Sequence, residues 1–276
     1  MISKTPDGKG GSYAFYSAQY ARFDTPLAAE VRLEAYGEDF GQQGWRTIEE
    51  QNEIIALIRD QPHAHVLDIA CGSGGPSLAI VLATGCRLTG VDIEPEGIMR
   101  ARHRALTMGL NQQVEFMVAD CTNRLPFNEG SFDVAICIDA VVHLKDRSLA
   151  LADWFRLLKP GGCLIFTDAA VLTGAVSKHE IDIRASQSDF VLVPPGLNEA
   201  AILQAGFRLH KCQDTTLSTA NTARRLHLAR EQRSEGLKAE EGVEWYGQRQ
   251  SFLKVTADLA GQTRLSRFIY IAGKPN

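Results

Sequence analysis

Between His65 and Asp168, five short runs rich in Val, Ile and Leu alternate with helical stretches, and this alternation constrains the fold more than any other feature. The runs are His65–Ala70 (HVLDIA), Cys86–Ile93 (CRLTGVDI), Val114–Asp120 (VEFMVAD), Phe132–Asp139 (FDVAICID) and Cys163–Asp168 (CLIFTD). Each is nearly continuous in apolar residues, as strands covered on both faces should be. Helical patterns separate them at Pro76–Leu82, Glu96–Met108 and Leu149–Leu158, the last followed by a Lys159-Pro160-Gly161-Gly162 turn. Such repetition implies right-handed crossovers and a parallel sheet. Two more strands, Phe207–Thr215 and Phe268–Gly273, complete the pattern. The expectation is a doubly wound α/β domain with a seven-stranded, mostly parallel sheet.

The flanks read as additions to one domain spanning residues 1–276. Residues 1–60 form an aromatic-rich N-terminal cap, 61–170 the core, and 171–276 a lid with the closing strands. In the cap, Thr47–Ile58 is helical and opens on Thr47 with Glu50 three residues later, a capping-box pattern. In the lid, Thr215–Leu265 is a charged helical insertion before the last strand, covering the same end of the sheet.

Several function classes drop out. A formal charge of -4 argues against a dedicated nucleic-acid binder. The longest apolar stretches fall well short of the ~18–20 residues of a membrane span, and the N-terminal stretch lacks a secretory signal's apolar run. Six cysteines show no CxxC pair and no metal-ligand spacing, so no metal site is expected. They read as reduced core thiols of a cytoplasmic protein.

In an open parallel sheet, ligands bind beyond the carboxyl ends of the strands. The first loop there is Asp68-Ile69-Ala70-Cys71-Gly72-Ser73-Gly74-Gly75-Pro76, where glycines permit close backbone approach. Asp92 ends the second strand, 20 residues after Gly72, the separation of a carboxylate that grips a ribose diol. The third glycine of a GxGxxG dinucleotide loop is absent. The ordered series VLDIACGSGG, GVDIEPEGI, VEFMVADC, FDVAICIDAVVHL and LKPGGCLIFTD resembles the class I S-adenosylmethionine-dependent methyltransferases from Val66 to Asp168.

That resemblance implies S-adenosylmethionine as cofactor and S-adenosylhomocysteine as product. Gly72 and its neighbours, Gly74 among them, would face the methionine moiety, with Asp68 and Ala70 ordering the loop. Asp92 would accept from the ribose hydroxyls, Ile93 would lie against the adenine, Asp120 would accept from its amino group, and the Cys121 N–H would meet the ring. Asp139 is counted with the same site. The pattern Asp139-Ala140-Val141-Val142-His143-Leu144-Lys145-Asp146 is similar to the small-molecule branch, including phosphoethanolamine, sarcosine/dimethylglycine, sugar and quinone-pathway methyltransferases. There the histidine assists deprotonation, which makes His143 the expected general base or substrate-orienting residue. Phosphoethanolamine enzymes pair it with an N-terminal tyrosine; Tyr20 is the first candidate here and Tyr16 the second. Their Gly-Glu-Asn-aromatic turn is similar to the stretch Tyr36–Trp45, and Gln42, Gln43 and Gly44 stand where the family sets small polar residues against the cofactor, without its serines, which brings Gln42 into the cofactor set. The stretch Val171–Pro195 after the fifth strand is expected to form another wall, with Arg184, Ser186 and Ser188 on a solvated helix face or, as the alternative, reaching substrate.

The expected function is methyl transfer to a small-molecule metabolite, with the accepting atom (N, O, S or C) and the oligomeric state left open. An NAD(P)-dependent oxidoreductase and a non-catalytic S-adenosylmethionine-binding partner protein remain alternatives. No Asn-Pro-Pro-aromatic tetrapeptide follows the fourth strand, which speaks against nucleic-acid bases as substrates.

Overall fold

The computed structural model describes residues 16, 19–20, 22–61, 63–186 and 190–276. The cap contributes helices α1 (Pro26–Tyr36) and α2 (Ile48–Arg59). The core runs β1 (His65–Ile69), α3 (Gly75–Thr84), β2 (Arg87–Asp92), α4 (Pro95–Thr107), β3 (Val114–Val118), β4 (Phe132–Cys137), α5 (Arg147–Leu157) and β5 (Leu158–Leu172). Then follow α6 (Lys178–Arg184), α7 (Leu197–Gln204), β6 (Arg208–Asp214), α8 (Thr216–Gln232), α9 (Ser234–Glu241), α10 (Val243–Gly261) and β7 (Leu265–Gly273).

The sheet order is β3-β2-β1-β4-β5-β7-β6, with the first five strands parallel and β7 antiparallel to both neighbours. The expected seven-stranded, mostly parallel sheet is therefore present. Strand order reverses between β1 and β4, so a crevice opens beside the end of β1.

Alternation along each strand divides the interior into two layers. Val66, Val134, Ile136, Ile165, Ile269 and Ile271 pack under α2, α3 and α4. Leu67, Ala135, Cys137, Leu164, Phe166, Tyr270 and Ala272 face the opposite side with α5 and α7. A third core joins cap to insertion: Val31, Ala35, Tyr36 and Trp45 pack with Ala223, Leu226, Phe252 and Leu253. Cap and insertion thus bury one shared apolar surface, which fixes both over the same end of the sheet.

Three local expectations change. The Lys159–Gly162 turn lies inside β5 as a bulge, since Phe132 pairs with Leu158 but Val134 with Cys163. The insertion breaks into three helices, with Gly242 at φ 87° between α9 and α10. The capping box at α2 is only half made. Thr47 Oγ1 accepts from Glu50 N at 3.3 Å, but the Glu50 carboxylate pairs with Arg267 instead of returning to the cap.

The sequence motif's last glycine, Gly75, has a packing role. It opens α3 against the cap, where an added Cβ would overlap the Phe40 carbonyl oxygen. Gly75→Ala is expected to cost about 1–3 kcal/mol as the backbones separate. Urea denaturation checks this; an unshifted midpoint would mean the 39–43 loop yields freely.

Candidate functional site

Parallel register brings the carboxyl ends of the strands to one edge: Ile69 lies beside Val91, and Asp92 beside Val118. A cavity of about 520 Å³ opens there, roofed by the cap and the insertion. That volume suits a small-molecule site.

One side of the cavity is formed by the loops after β1, β2 and β3. Ala70 and Gly72 take left-handed φ values of 59° and 58°, folding the first loop back so that Gly72 N donates to Asp92 Oδ2 at 2.8 Å. Glu94 N donates to Asp92 Oδ1 at 2.9 Å. Burial raises the Asp92 pKa, and those two backbone donors act in the opposite direction. A carboxylate has about four lone-pair sites, so two remain for a ligand's hydroxyls. Ile93 is half-exposed, with Asp120, Cys121 and Thr122 on the same wall. Asp120 is held by Thr122 N, Thr122 Oγ1 and Asn123 Nδ2 at 2.7–2.9 Å. On the cap side, Gln43 Nε2 and Arg46 Nε reach the wall buried and without hydrogen-bond partners.

Other expected cofactor residues stand elsewhere. Gln42 turns away from the cavity: its amide accepts from Phe40 N and donates to Glu38 O, both at 2.7 Å, closing its own turn. Gly74 is the N-cap of α3 at φ 71°, and a Cβ there would meet Ala101 and Phe116 rather than a ligand. Asp68 lies behind the loop, accepting from Ser77 Oγ at 2.5 Å. Burial pushes its pKa up to about 6 against the pull of Arg46 and Ser77. Asp139 borders the cavity at φ 58°, but its oxygens are committed to Trp45 N (2.7 Å), Thr167 Oγ1 (2.9 Å) and Arg267 Nε (2.7 Å). Burial works to raise its pKa, and the Arg267 guanidinium outweighs that, holding the carboxyl below its usual range. Asp139 is a strut for the Gly44–Trp45 turn, with three of its roughly four lone-pair sites taken by protein donors.

The cavity is also lined by His143, at the end of a 3₁₀ turn (Val141–His143) that follows β4. Its Nε2 lies 3.0 Å from the Tyr16 hydroxyl, and the rings meet edge-on with centroids 5.7 Å apart. The tyrosine partner is thus Tyr16, not Tyr20. Tyr20 is buried against the loop after β1, its hydroxyl 2.6 Å from where a Gly72 Cβ would stand. Any side chain at Gly72 would displace it.

Arg184 is only 3% exposed and lines the cavity, the alternative reading rather than the solvated face, while Ser186 is exposed and Ser188 lies outside the described residues. Some of the wall was not foreseen. Phe190, Arg249 and Phe252 also line the cavity. Arg267, in the last strand, bonds Asp139 and Glu50 beneath it. The apolar context of β7 gives an arginine there no sequence signal beyond its presence. Among the described residues, no helix is long and apolar enough to cross a membrane.

Residues 67–166 match a family model described as a methyltransferase domain. The chain is 32% identical over 168 residues to a sterol 24-C-methyltransferase from Gibberella zeae, covering 58% of this chain and 44% of that protein. It is also 32% identical over 133 residues to phosphoethanolamine N-methyltransferase 1 from Arabidopsis thaliana, covering 48% and 26%. The chain therefore spans less than half the length of either relative. Among solved structures, Haemonchus contortus phosphoethanolamine N-methyltransferase 2, bound to phosphomonomethylethanolamine and S-adenosylhomocysteine, superposes with a TM-score of 0.77 at 22% identity. The match covers 95% of this chain and 60% of that one. At that identity the likeness establishes the fold.

Proposed function

We propose, for a chain whose residues 67–166 are a methyltransferase domain of the class I S-adenosylmethionine-dependent superfamily, that it methylates a small-molecule metabolite. The observation that carries this reading is one cavity lined both by the Gly72–Asp92–Asp120 loops and by the Tyr16–His143 pair.

The residues present fit the cofactor. Asp92 keeps lone pairs for a ribose diol, half-exposed Ile93 offers an apolar face to a flat base, and Asp120 stands where an amino group would be read. Arg46 Nε and Gln43 Nε2, buried donors without partners, suit the amino-acid carboxylate. When bound, the cofactor supplies an electrophilic methyl group on a sulfonium. The protein's part is to hold an acceptor in line with that methyl and to exclude water. Where the acceptor carries a proton, Tyr16 Oη takes it while passing its own to His143 Nε2, leaving an imidazolium. Where it carries none, the pair orients it. Six free thiols support a reducing compartment, and we place the protein in the cytoplasm.

Thermal melting with S-adenosylhomocysteine and with NAD tests the cofactor, because a ligand specific to the native state raises the melting temperature. Of the two, S-adenosylhomocysteine alone should do so. Stabilisation by NAD instead would favour an oxidoreductase and end this reading. Asp92→Ala should weaken S-adenosylhomocysteine at least ten-fold, since it removes charge-assisted acceptors for two hydroxyls. Unchanged affinity by calorimetry would take Asp92 out of the cofactor site.

A further inference from the structure

One wall of the cavity carries a buried positive charge that the protein does not neutralise. Arg184, the last residue of α6, lies with its guanidinium 4.8 Å from the ring centres of both Phe190 and Phe252. Nη2 makes one long bond, 3.5 Å, to Ala169 O, while Nε and Nη1 have no hydrogen-bond partner. Among the described residues, no carboxylate pairs with it. Asp139, which favours its charge from a distance, is already bonded to Arg267. Burial lowers the Arg184 pKa to about 10; Tyr16 opposes this and Arg249 adds to it. The group still holds its charge at neutral pH.

A desolvated, unpaired guanidinium destabilises a fold, and aromatic faces offset only part of that cost. It is tolerable where a ligand completes it. We propose that Arg184 anchors an anionic group, a carboxylate or a phosphate, on the methyl acceptor, with Phe190 and Phe252 flanking that end. This rests on the methyltransferase reading above. Phe190 also sets the scale, its ring centre 5.1 Å from that of His143. One phenylalanine therefore separates the anion anchor from the Tyr16–His143 pair. The acceptor is short, with its nucleophilic atom about one aromatic ring from its charge. Arg249, on the same wall, strengthens the positive potential there. A wholly neutral acceptor would leave Arg184 unpaired and should be a poor substrate.

The test titrates inorganic phosphate and acetate into wild type, Arg184→Met and Arg184→Lys, each with and without S-adenosylhomocysteine. Thermal melting gives affinity, and ¹⁵N spectra follow the arginine Nε–H resonances. At least one anion should bind wild type ten-fold or more tightly than Arg184→Met. It should also move one buried Nε–H resonance that the Met variant lacks. Arg184→Lys should recover part of the affinity, keeping charge without the planar fork. A phosphate response without an acetate response assigns a phosphate substrate, and the converse a carboxylate. Equal affinity in wild type and Arg184→Met, or no moving Nε–H resonance with either anion, would overturn the proposal. Should the Met variant not fold, the wild-type resonances and the Lys variant still decide. Failure of S-adenosylhomocysteine to stabilise any protein would remove the transferase reading, while the anion titrations would still be read alone.

Discussion

Arg267→Met is expected to lower folding stability by about 3–5 kcal/mol, the usual loss when one member of a buried ion network is removed. The Arg267 side chain is fully buried and makes four close bonds. Nε reaches Asp139 at 2.7 Å, Nη1 and Nη2 reach the two Glu50 oxygens at 2.6 and 2.9 Å, and Nη1 reaches Thr215 Oγ1 at 2.8 Å. Methionine fills a similar volume but leaves two carboxylates without their counter-charge. The pH dependence identifies the cause. In the native protein Arg267 holds the Asp139 pKa below its unfolded value. Ionised Asp139 therefore contributes stability above the ordinary carboxylate range, and loses it only as pH falls through the depressed native value. Without Arg267, only the Trp45 N and Thr167 hydroxyl donors oppose the upward pull of burial on Asp139, so its pKa should rise and the stability deficit should widen as pH rises. Arg267→Lys should recover little, because a single ammonium cannot reproduce the bidentate fork. Urea midpoints between pH 5 and 8 check this. A deficit under about 1 kcal/mol and flat with pH would show that the network is dispensable. S-adenosylhomocysteine affinity should fall as well, since Asp139 Oδ2 holds Trp45 N beside the Gly44–Arg46 wall.

The second large effect belongs to chemistry. His143→Ala should lower turnover ~10²–10⁴-fold for an acceptor that must lose a proton, the typical contribution of a general base. Cofactor affinity should stay within about two-fold, because Gly72, Asp92 and Asp120, the residues proposed to hold the cofactor, sit on the loops after β1, β2 and β3, whereas His143 follows β4. Turnover of the wild type should rise with pH as the imidazole deprotonates, and that dependence should vanish in the variant. Tyr16→Phe removes the hydroxyl 3.0 Å from Nε2 and should share the pH effect. Tyr20→Phe should not. If His143→Ala turns over near the wild-type rate, the histidine is structural. If cofactor binding disappears with activity, the 3₁₀ turn has collapsed, and His143→Asn on the same cofactor-binding scale separates the two.

The core strands and the loops at their ends were legible because both depend on local pattern. Apolar runs bounded by Gly and Pro set strand ends to within a few residues, and parallel register then lines those ends up. Asp92, Asp120 and Gly72 meet at one edge for that reason, although nothing near them in sequence says so. Gln42 and Gly74 were misplaced because a motif position does not determine a side chain's direction. Gln42 satisfies its own turn, and Gly74 answers the close approach of Phe116 and Ala101.

The sequence by itself determined the doubly wound sheet, the switch point beside β1, the gathering of the Gly72, Asp92 and Asp120 loops at one edge and the position of His143 after β4. These follow from hydrophobic periodicity and turn chemistry, which act over a few residues. Only the tertiary structure decided that Tyr16 rather than Tyr20 meets His143, that Asp139 is a strut, that Arg267 ties the last strand to the cap, and that Arg184 is buried. Each of these joins segments brought together by the core shared between α1, α8, α9 and α10. A charged side chain at the end of a short helix has the same local sequence whether it faces water or a cavity. What settles it is which apolar surfaces close over that helix, and that is decided by the packing of the whole chain.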